Sequence, residues 1–473
     1  MKKYIGNKQF YRMVLLVAVP IMIQNGITNF VGMLDNIMVG QVGTAQMSGV
    51  AIVNQLMLVF NITIFGAISG AGIFGAQYYG CRDYEGVRNA FRYKLIICIL
   101  VVLLAICLFL GFGEGLIGVY LHEGADAAEC AITMQYAREY LDIMLIGLFP
   151  FALEQAYSGT LRETGETMLP MKAGIVAVLV NLVFNYLFIF GKFGFPKMGV
   201  NGAAVATVIS RFVQAGIVVI WTHRHLGREN TGDVNMPYQF MHGIYKHFRV
   251  PGYLAARITI KATPLLINEA LWALGMAALM QCYSVRGLSV VAGMNISNTI
   301  ANVFNIVYLA MGNAIAIILG QLLGAGKLDE AKSSADKLIF FSVASCVVIG
   351  ALMVLAAPLF PQIYNTSDEV KHLAEQFIRV AAICMPLCAF TNAAYFTLRS
   401  GGKTIITFLF DSFFVWVVMI PTAYILSRYT QLPIVPLYLA CQLIEIGKCL
   451  IGFVMVKKGV WIQNMTEQEA MHA

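Results

Sequence analysis

The chain has 473 residues, 59% of them hydrophobic and only 12% charged, with a net charge of +7 and a mean hydropathy of +0.73. A water-soluble domain carries roughly 25% charged residues, so this chain cannot cover itself with polar surface. The excess of cations follows topology rather than an acidic ligand, and nucleic acid is not an expected partner.

Charge-free runs set the class. Residues 13–34, 36–81, 95–113, 173–191, 287–326 and 338–367 contain no Asp, Glu, Lys or Arg. Crossing the hydrocarbon core takes about 20 apolar residues in a helix, so the runs of roughly twice that length read as two spans joined by a turn or kink, with Gly40–Gly43 and Gly312–Asn313 as the turn material. In chain order the expected spans are 13–38, 46–72, 95–113, 136–160, 172–191, 200–222, 254–280, 288–312, 338–360, 374–397, 405–427 and 433–456. The first apolar run outlasts a signal peptide and lacks a small-residue cleavage pattern, so the first segment is expected to stay as an anchor.

With the N-terminus inside, the outer segments hold only Arg138, Lys192, Lys197, Arg286, Lys371, Arg379 and Arg428. Apart from Arg211 and Lys448, which fall within spans, every other Lys and Arg lies in an inner segment. The positive-inside rule then predicts that both termini are cytoplasmic.

The chain also repeats. At an offset of 244, Pro20, Gly43, Gly49, Asn54, Phe60, Asn61, Gln77 and Gly80 match Pro264, Gly287, Gly293, Asn298, Phe304, Asn305, Gln321 and Gly324. At an offset of 237, Thr160-Leu161-Arg162-x-x-Gly165-x-Thr167 recurs as Thr397-Leu398-Arg399-x-x-Gly402-x-Thr404. The expected architecture is an all-α integral membrane protein of twelve transmembrane helices in two pseudo-symmetric six-helix bundles. The first lobe is 1–222, the cytoplasmic linker 223–253 and the second lobe 254–473. Six spans per half give both halves one orientation, with substrate bound near the midplane. The linker, basic and aromatic around residues 245–249, is expected to lie along the inner membrane surface.

Enzymatic chemistry is poorly represented. Residues 320–327 imitate a phosphate loop, but Leu328 stands where a hydroxyl must reach magnesium. Gly70-Ala-Gly72-Ile-Phe-Gly75 has dinucleotide spacing, yet it lies in an apolar span, where small residues serve helix packing. Cys384 and Cys388 share a helix face without further ligands near them in sequence, so they read as small buried residues. No cofactor and no catalytic residue is expected, and an ion gradient is the simplest energy source.

Ionisable residues inside the membrane are costly and usually face a cavity with a task. Asp35 leads, with Gln24, Asn25 and Asn29 on preceding turns, Asn181 and Asn185 one helical turn apart on span 5, and Thr207 on span 6. A carboxylate with amide and hydroxyl oxygens can bind Na⁺ or carry a proton. The alternative is that Asp35 merely hydrates a helix end at the outer interface. Asp35, Asn181, Asn185 and Thr207 are the cation-coupling candidates, with Asp35 and Asn181 as ligands if the ion is Na⁺. Glu269, Gln24, Asn25 and Asn29 are the substrate-binding candidates; Glu269 reads either as a cavity acid for cationic cargo or as an acid steadying the Pro264 bend. Glu154 with Arg211, and Glu445 with Lys448, are expected to form structural ion pairs. Asp411 is placed near the cytoplasmic end of span 11, away from any task. Arg162 and Arg399 anchor cytoplasmic helix ends.

The sequence resembles the multidrug and toxic compound extrusion (MATE) family over nearly its whole length. The carriers are Pro20, the segment Leu34-Asp35-Asn36-Ile37-Met38-Val39-Gly40, Gln77-Tyr-Tyr-Gly80 with Asp83 and Gly86, and the doubled TLRxxGxT element. The resemblance implies two six-helix bundles around a V-shaped cavity, exchanging a small organic substrate for Na⁺ or H⁺ across a bacterial inner membrane, as a monomer in lipid. Asp35 matches the family's first-helix aspartate, Asn181 its fifth-helix asparagine and Thr207 a sixth-helix threonine of the cation site. Asn185 departs from a branch with aspartate there. Glu269 resembles a seventh-helix glutamate that one branch pairs with a tenth-helix aspartate. Here residues 377–398 hold no acid, which argues against an ion site in the second lobe. The alternative function is a lipid-linked oligosaccharide flippase, but its phosphates call for several cavity cations, and only Arg211 and Lys448 lie within spans.

Overall fold

A computed structural model describes residues 4–121, 127–225 and 239–466. Lys2, Lys3, Arg228 and linker residues 226–238 lie outside the described residues, as do the side chains of Asn36 and Ile37. Among the described residues every regular element is helical. The first half contains α1 (Lys8–Gly40), α2 (Thr44–Gly80), α3 (Tyr84–Gly118), α4 (Ala127–Ile146), α5 (Leu148–Glu163), α6 (Met168–Phe190) and α7 (Val200–Arg224). The second contains α8 (Gly252–Ser284), α9 (Leu288–Gly324), α10 (Leu328–Ala356) and α11 (Asp368–Ser400). A rod then runs through α12 (Thr404–Phe408), two π-helical segments (Leu409–Phe413 and Val415–Met419) and α13 (Ile420–Tyr429). The last rod is α14 (Ile434–Leu443) followed by α15 (Glu445–Lys457).

Eleven of the described helices are long and apolar enough to cross a membrane. The α4–α5 pair runs where the fourth span was expected, broken at Gly147 and carrying Arg138, Glu139 and Asp142 in α4. The molecule wears its apolar residues outside: α3 exposes Leu100, Leu103, Leu104, Leu110 and Phe112. In water such a surface would drive aggregation; in hydrocarbon it costs nothing, provided every backbone polar group bonds within its own helix.

The repeat is visible in the element boundaries. α1 and α8 begin and end 244 residues apart, as do α2 and α9, and α5 and α11 end 237 residues apart. Its glycines do matching work. Gly43 and Gly287 precede α2 and α9 with φ of +153° and +124°, a region that L side chains avoid. An added Cβ at Gly49 would lie 3.0 Å from Ala137 N, and one at Gly293 3.1 Å from Leu373 Cβ and 3.3 Å from Ala374 N. Ala374 is the 237-residue equivalent of Ala137.

One turn expectation is corrected. Gly40–Gly43 does join two helices, but Gly312–Asn313 lies inside the unbroken α9. Gly312 instead lets α11 approach, because a Cβ there would overlap Asn392 Oδ1 and the Phe396 ring. At 37 residues α2 and α9 are each about 55 Å long, well beyond a hydrocarbon core of about 30 Å. A charge-free run therefore signals one long helix here as readily as two short ones.

The helices group into two compact units. The N-unit comprises Ile23–Gly75 and Tyr84–Arg257; the C-unit comprises Met1–Met22, Ala76–Asp83 and Ile258–Ala473. Within the C-unit, Val14, Val17, Ala18 and Ile21 of α1 pack on Ala310, Met311, Ala314 and Ile318 of α9. The last turn of α2 meets the last turn of α9 through the repeated Gln-x-x-Gly: a Cβ at Gly80 would overlap Gln321 O, and one at Gly324 would overlap Gln77 O. The fully buried Gln77 side chain donates to Ser400 O (2.9 Å) and Gln463 O (3.3 Å) and accepts from Met465 N (2.8 Å).

Candidate functional site

Three N-unit helices converge on Asp35. α6 and α7 approach closely because Gly202 has no side chain; a Cβ there would lie 2.8 Å from the Phe188 backbone. The i,i+4 pair Asn181 and Asn185 is buried on α6, and Thr207 of α7 faces Asn181. Asn185 Nδ2 donates to Asp35 Oδ1 at 2.5 Å and to Asn181 Oδ1 at 3.1 Å. With the Asn181 amide turned the other way, the bond from Asn185 to its oxygen is given up; its nitrogen then donates to Asp35 Oδ1 and Oδ2 at 3.0 and 3.1 Å, and its oxygen accepts from Thr207 Oγ1 at 3.2 Å. Asn185 Oδ1 is buried without a hydrogen-bond partner. One carboxylate, amide oxygens and a hydroxyl make an all-oxygen donor set, the chemistry of a small hard cation or a shared proton. The orphaned Asn185 oxygen fits such an ion.

The other first-helix amides lie apart from this set. Half-buried Gln24 accepts from Arg162 Nη2 at 2.9 Å and packs over Gly174 of α6. Asn25 is half-buried and Asn29 exposed. The expected Glu154–Arg211 pair does not form. Glu154 accepts from Ser158 (2.5 Å) and Gln155 (2.9 Å), whereas Arg211 donates to Gly147 O at 3.2 Å and lies over the Phe151 ring. The guanidinium thus sits at the break between α4 and α5, sharing the Gly147 carbonyl with the Phe151 N–H, which reaches it at 3.3 Å.

In the C-unit, Glu269 sits half-buried on α8 beside Asn268. Asn268 is the hub: its Nδ2 donates to Asp411 Oδ2 (3.1 Å) and Tyr395 Oη (3.4 Å), and its Oδ1 accepts from Ser412 N (3.2 Å) and Oγ (2.8 Å). Asp411 is therefore not idle. It lies seven residues into its rod, about 10 Å by helical rise, and its Oδ1 takes Lys448 Nζ at 2.6 Å. Glu445 Oε1 is 4.0 Å from the same ammonium, so Lys448 serves two acids and prefers the one that sequence reasoning set aside. Asp411 was legible as a charge in an apolar span; its partners were not, since they come from α8, α11 and α15.

A second buried charge pair also went unforeseen. Lys94, expected merely to mark an inner segment, is 0% exposed and reaches Glu163 Oε2 at 2.5 Å and Thr160 Oγ1 at 2.9 Å. The dinucleotide-like glycines make room for that carboxylate: added Cβ atoms at Gly72 and Gly75 would each lie 2.5 Å from a Glu163 oxygen. Among the described residues no group of His, Cys, Asp or Glu is arranged to hold a metal ion.

Helical throughout its described residues, with a lipid-compatible surface and buried polar clusters on broken or glycine-packed helices, this body defines a multi-pass membrane protein. A family model, MatE, matches residues 20–187 and 264–425, and the chain belongs to this family of transporters. The two matched stretches fall one in each half of the repeat. Among curated relatives, the probable multidrug resistance protein NorM of Thermotoga maritima is 24% identical over 88% of this chain and 85% of its own length. YoeA of Bacillus subtilis, also described as a probable multidrug resistance protein, is 25% identical over 90% and 88%. Among solved structures, an outward-facing multidrug resistance MATE transporter superposes with a TM-score of 0.83 at 19% identity, covering 97% of both chains. A Pyrococcus furiosus transporter, described as having a binding pocket of reversed polarity, gives 0.82 at 19% identity over 97% of both chains.

Proposed function

We propose that the protein is a cation-coupled antiporter that exports small organic molecules, cationic or neutral, from a bacterial cell. The observation that carries this reading is the meeting of Asp35 with Asn181, Asn185 and Thr207 inside the membrane, an ionisable oxygen cluster with an unpartnered ligand atom. Asp35 takes up Na⁺ or H⁺ and the amides and hydroxyl complete its shell. Glu269 is the acid of the C-unit that meets cationic cargo, and Gln24, Asn25 and Asn29 are the substrate-binding amides of the N-unit. The names of the NorM and YoeA relatives support drug-like cargo. The two cations expected within spans do not favour phosphate-bearing lipids, since Arg211 donates to Gly147 O and Lys448 is held by Asp411; the buried Lys94 is likewise paired, with Glu163. The chain works as a monomer in the plasma membrane with both termini inside, its lobes 1–222 and 254–473 joined by the linker 223–253.

The test is reconstitution in liposomes, following a fluorescent organic cation under separately imposed Na⁺ and pH gradients, with Asp35→Asn beside the wild type. Dye movement driven by one gradient, and abolished in a correctly inserted Asp35→Asn protein, is the expected result and names the ion. Gradient-driven movement that survives the substitution removes Asp35 from coupling.

A further inference from the structure

The trio Asp411, Lys448 and Glu445 has a charge count that does not close. Two carboxylates face one ammonium, at 2.6 Å and 4.0 Å. Lys448 is 6% exposed and Glu445 9% exposed, and Glu445 Oε2 is buried with no hydrogen-bond partner. Asp411, by contrast, is fully engaged, with Lys448 on one oxygen and Asn268 on the other. The other titratable groups around Glu445 bring no second cation: Tyr308 comes from α9, Cys388 from α11 and Cys449 from its own helix. Lys448 also lies over the Phe410 ring, which fixes the ammonium on the Asp411 side. A buried carboxylate without donors is neutralised or paired in every stable arrangement. With the lysine committed to Asp411, the remaining negative charge falls on Glu445.

We propose that Glu445 is a proton-binding carboxylate of the C-unit, held against the Lys448–Asp411 ion pair, so that the trio binds one exchangeable proton whichever ion Asp35 handles. The proton sits on Glu445 Oε2, the atom that has no other donor. Asp411 lies in the first of two π-helical segments, wide turns that recur at functional sites. Its neighbour Ser412 is fixed through N–H and Oγ by Asn268, so the registry of this rod against α8 sets where the Asp411 carboxylate points. If Asp411 turns away from Lys448, the ammonium is free to pair with Glu445, and the proton must leave. Proton release and a change of register are thereby two descriptions of one event. Glu269, with Arg399 of α11 beside it, adjoins the trio on the Asp411 side through Asn268, while Glu445 lies beyond Lys448; the proposal does not rest on the coupling reading of Asp35.

The experiment is infrared difference spectroscopy of the full-length protein in liposomes, between acidic and alkaline Na⁺-free buffer, reading the carbonyl band of protonated carboxyl groups. Charge counting gives a signed expectation for each variant. Glu445→Gln removes one protonated carboxyl from the wild-type spectrum. Asp411→Asn also removes one, because Lys448 then pairs with an ionised Glu445. Lys448→Gln adds one, because both carboxylates are left without a cation. Opposite signs for Asp411→Asn and Lys448→Gln cannot arise from misfolding. A Glu445→Gln spectrum with the wild-type band intact, or no gain in Lys448→Gln, overturns the proposal, and neither result bears on dye transport by Asp35.

Discussion

Asp35 and Lys448 face the same cost, a charge away from water, and meet it differently. Lys448 has a carboxylate at 2.6 Å, whereas Asp35 has only neutral donors, Asn185 at 2.5 Å and the turned Asn181 amide. A carboxylate with no fixed counter-charge is free to exchange one, which is why the exchangeable ion is assigned there. Asn185→Asp adds a second negative group to the same cluster. It is expected to raise Na⁺ affinity about tenfold or more, equivalent to about 1.4 kcal/mol, read from the Na⁺ dependence of dye efflux; an unchanged dependence would separate Asn185 from the ion. Glu269→Gln removes charge from the C-unit acid on α8 without changing its shape. Cationic dyes are expected to lose apparent affinity severalfold while neutral ones hold theirs, and equal losses would show that Glu269 only supports its helix.

Helices here are shaped by their glycines and their irregular turns more than by amphipathicity. The Gly80 and Gly324 contacts at the crossing of α2 and α9 involve backbone, which cannot move aside as a flexible side chain can. Gly80→Ala is therefore expected to destabilise the protein by about 1–3 kcal/mol, the range for overpacking, seen as a lowered Tm in detergent. Gly111 of α3 has nothing within 4 Å of an added Cβ, and Gly111→Ala should be neutral or stabilising by up to about 1 kcal/mol through helix propensity. Equal Tm values for the two variants would remove the crossing as a packing constraint. The halves of the repeat diverge in the continuity and winding of their helices. α11 is continuous, while its counterpart is broken at Gly147 and capped by Arg211; α6 is regular, while the rod carrying Asp411 is π-helical twice.

At the scale of the molecule, topology is the quantity to test. Cys81, exposed in the turn between α2 and α3, falls in a segment placed inside by the distribution of Lys and Arg. A membrane-impermeant maleimide is expected to label it in inverted vesicles and to spare it in intact cells, with Cys81→Ser as the control. Labelling from the outside would invert the whole arrangement, because an even number of spans ties the two ends together.

The class and the duplication were legible in the sequence because they rest on local properties. Hydropathy decides whether a segment enters the bilayer, and an offset of 244 that recurs in the boundaries of α1, α2, α8 and α9 is a one-dimensional fact. The cluster around Asp35 was also within reach, since Asn181 and Asn185 share a face by helical periodicity and few polar residues compete for the role. What the sequence could not decide was which buried charges meet. Arg211 lay as plausibly beside Glu154 as beside the carbonyl of Gly147 at a helix break, and Asp411 looked peripheral although α8 and α15 pack around it. Such pairings depend on helix rotation and on breaks of a single residue, and a turn of about 100° per residue sends a side chain from a neighbour to the lipid. Only the tertiary structure fixes that angle, because it is set by the fit of glycines and bulky side chains between helices far apart in the chain.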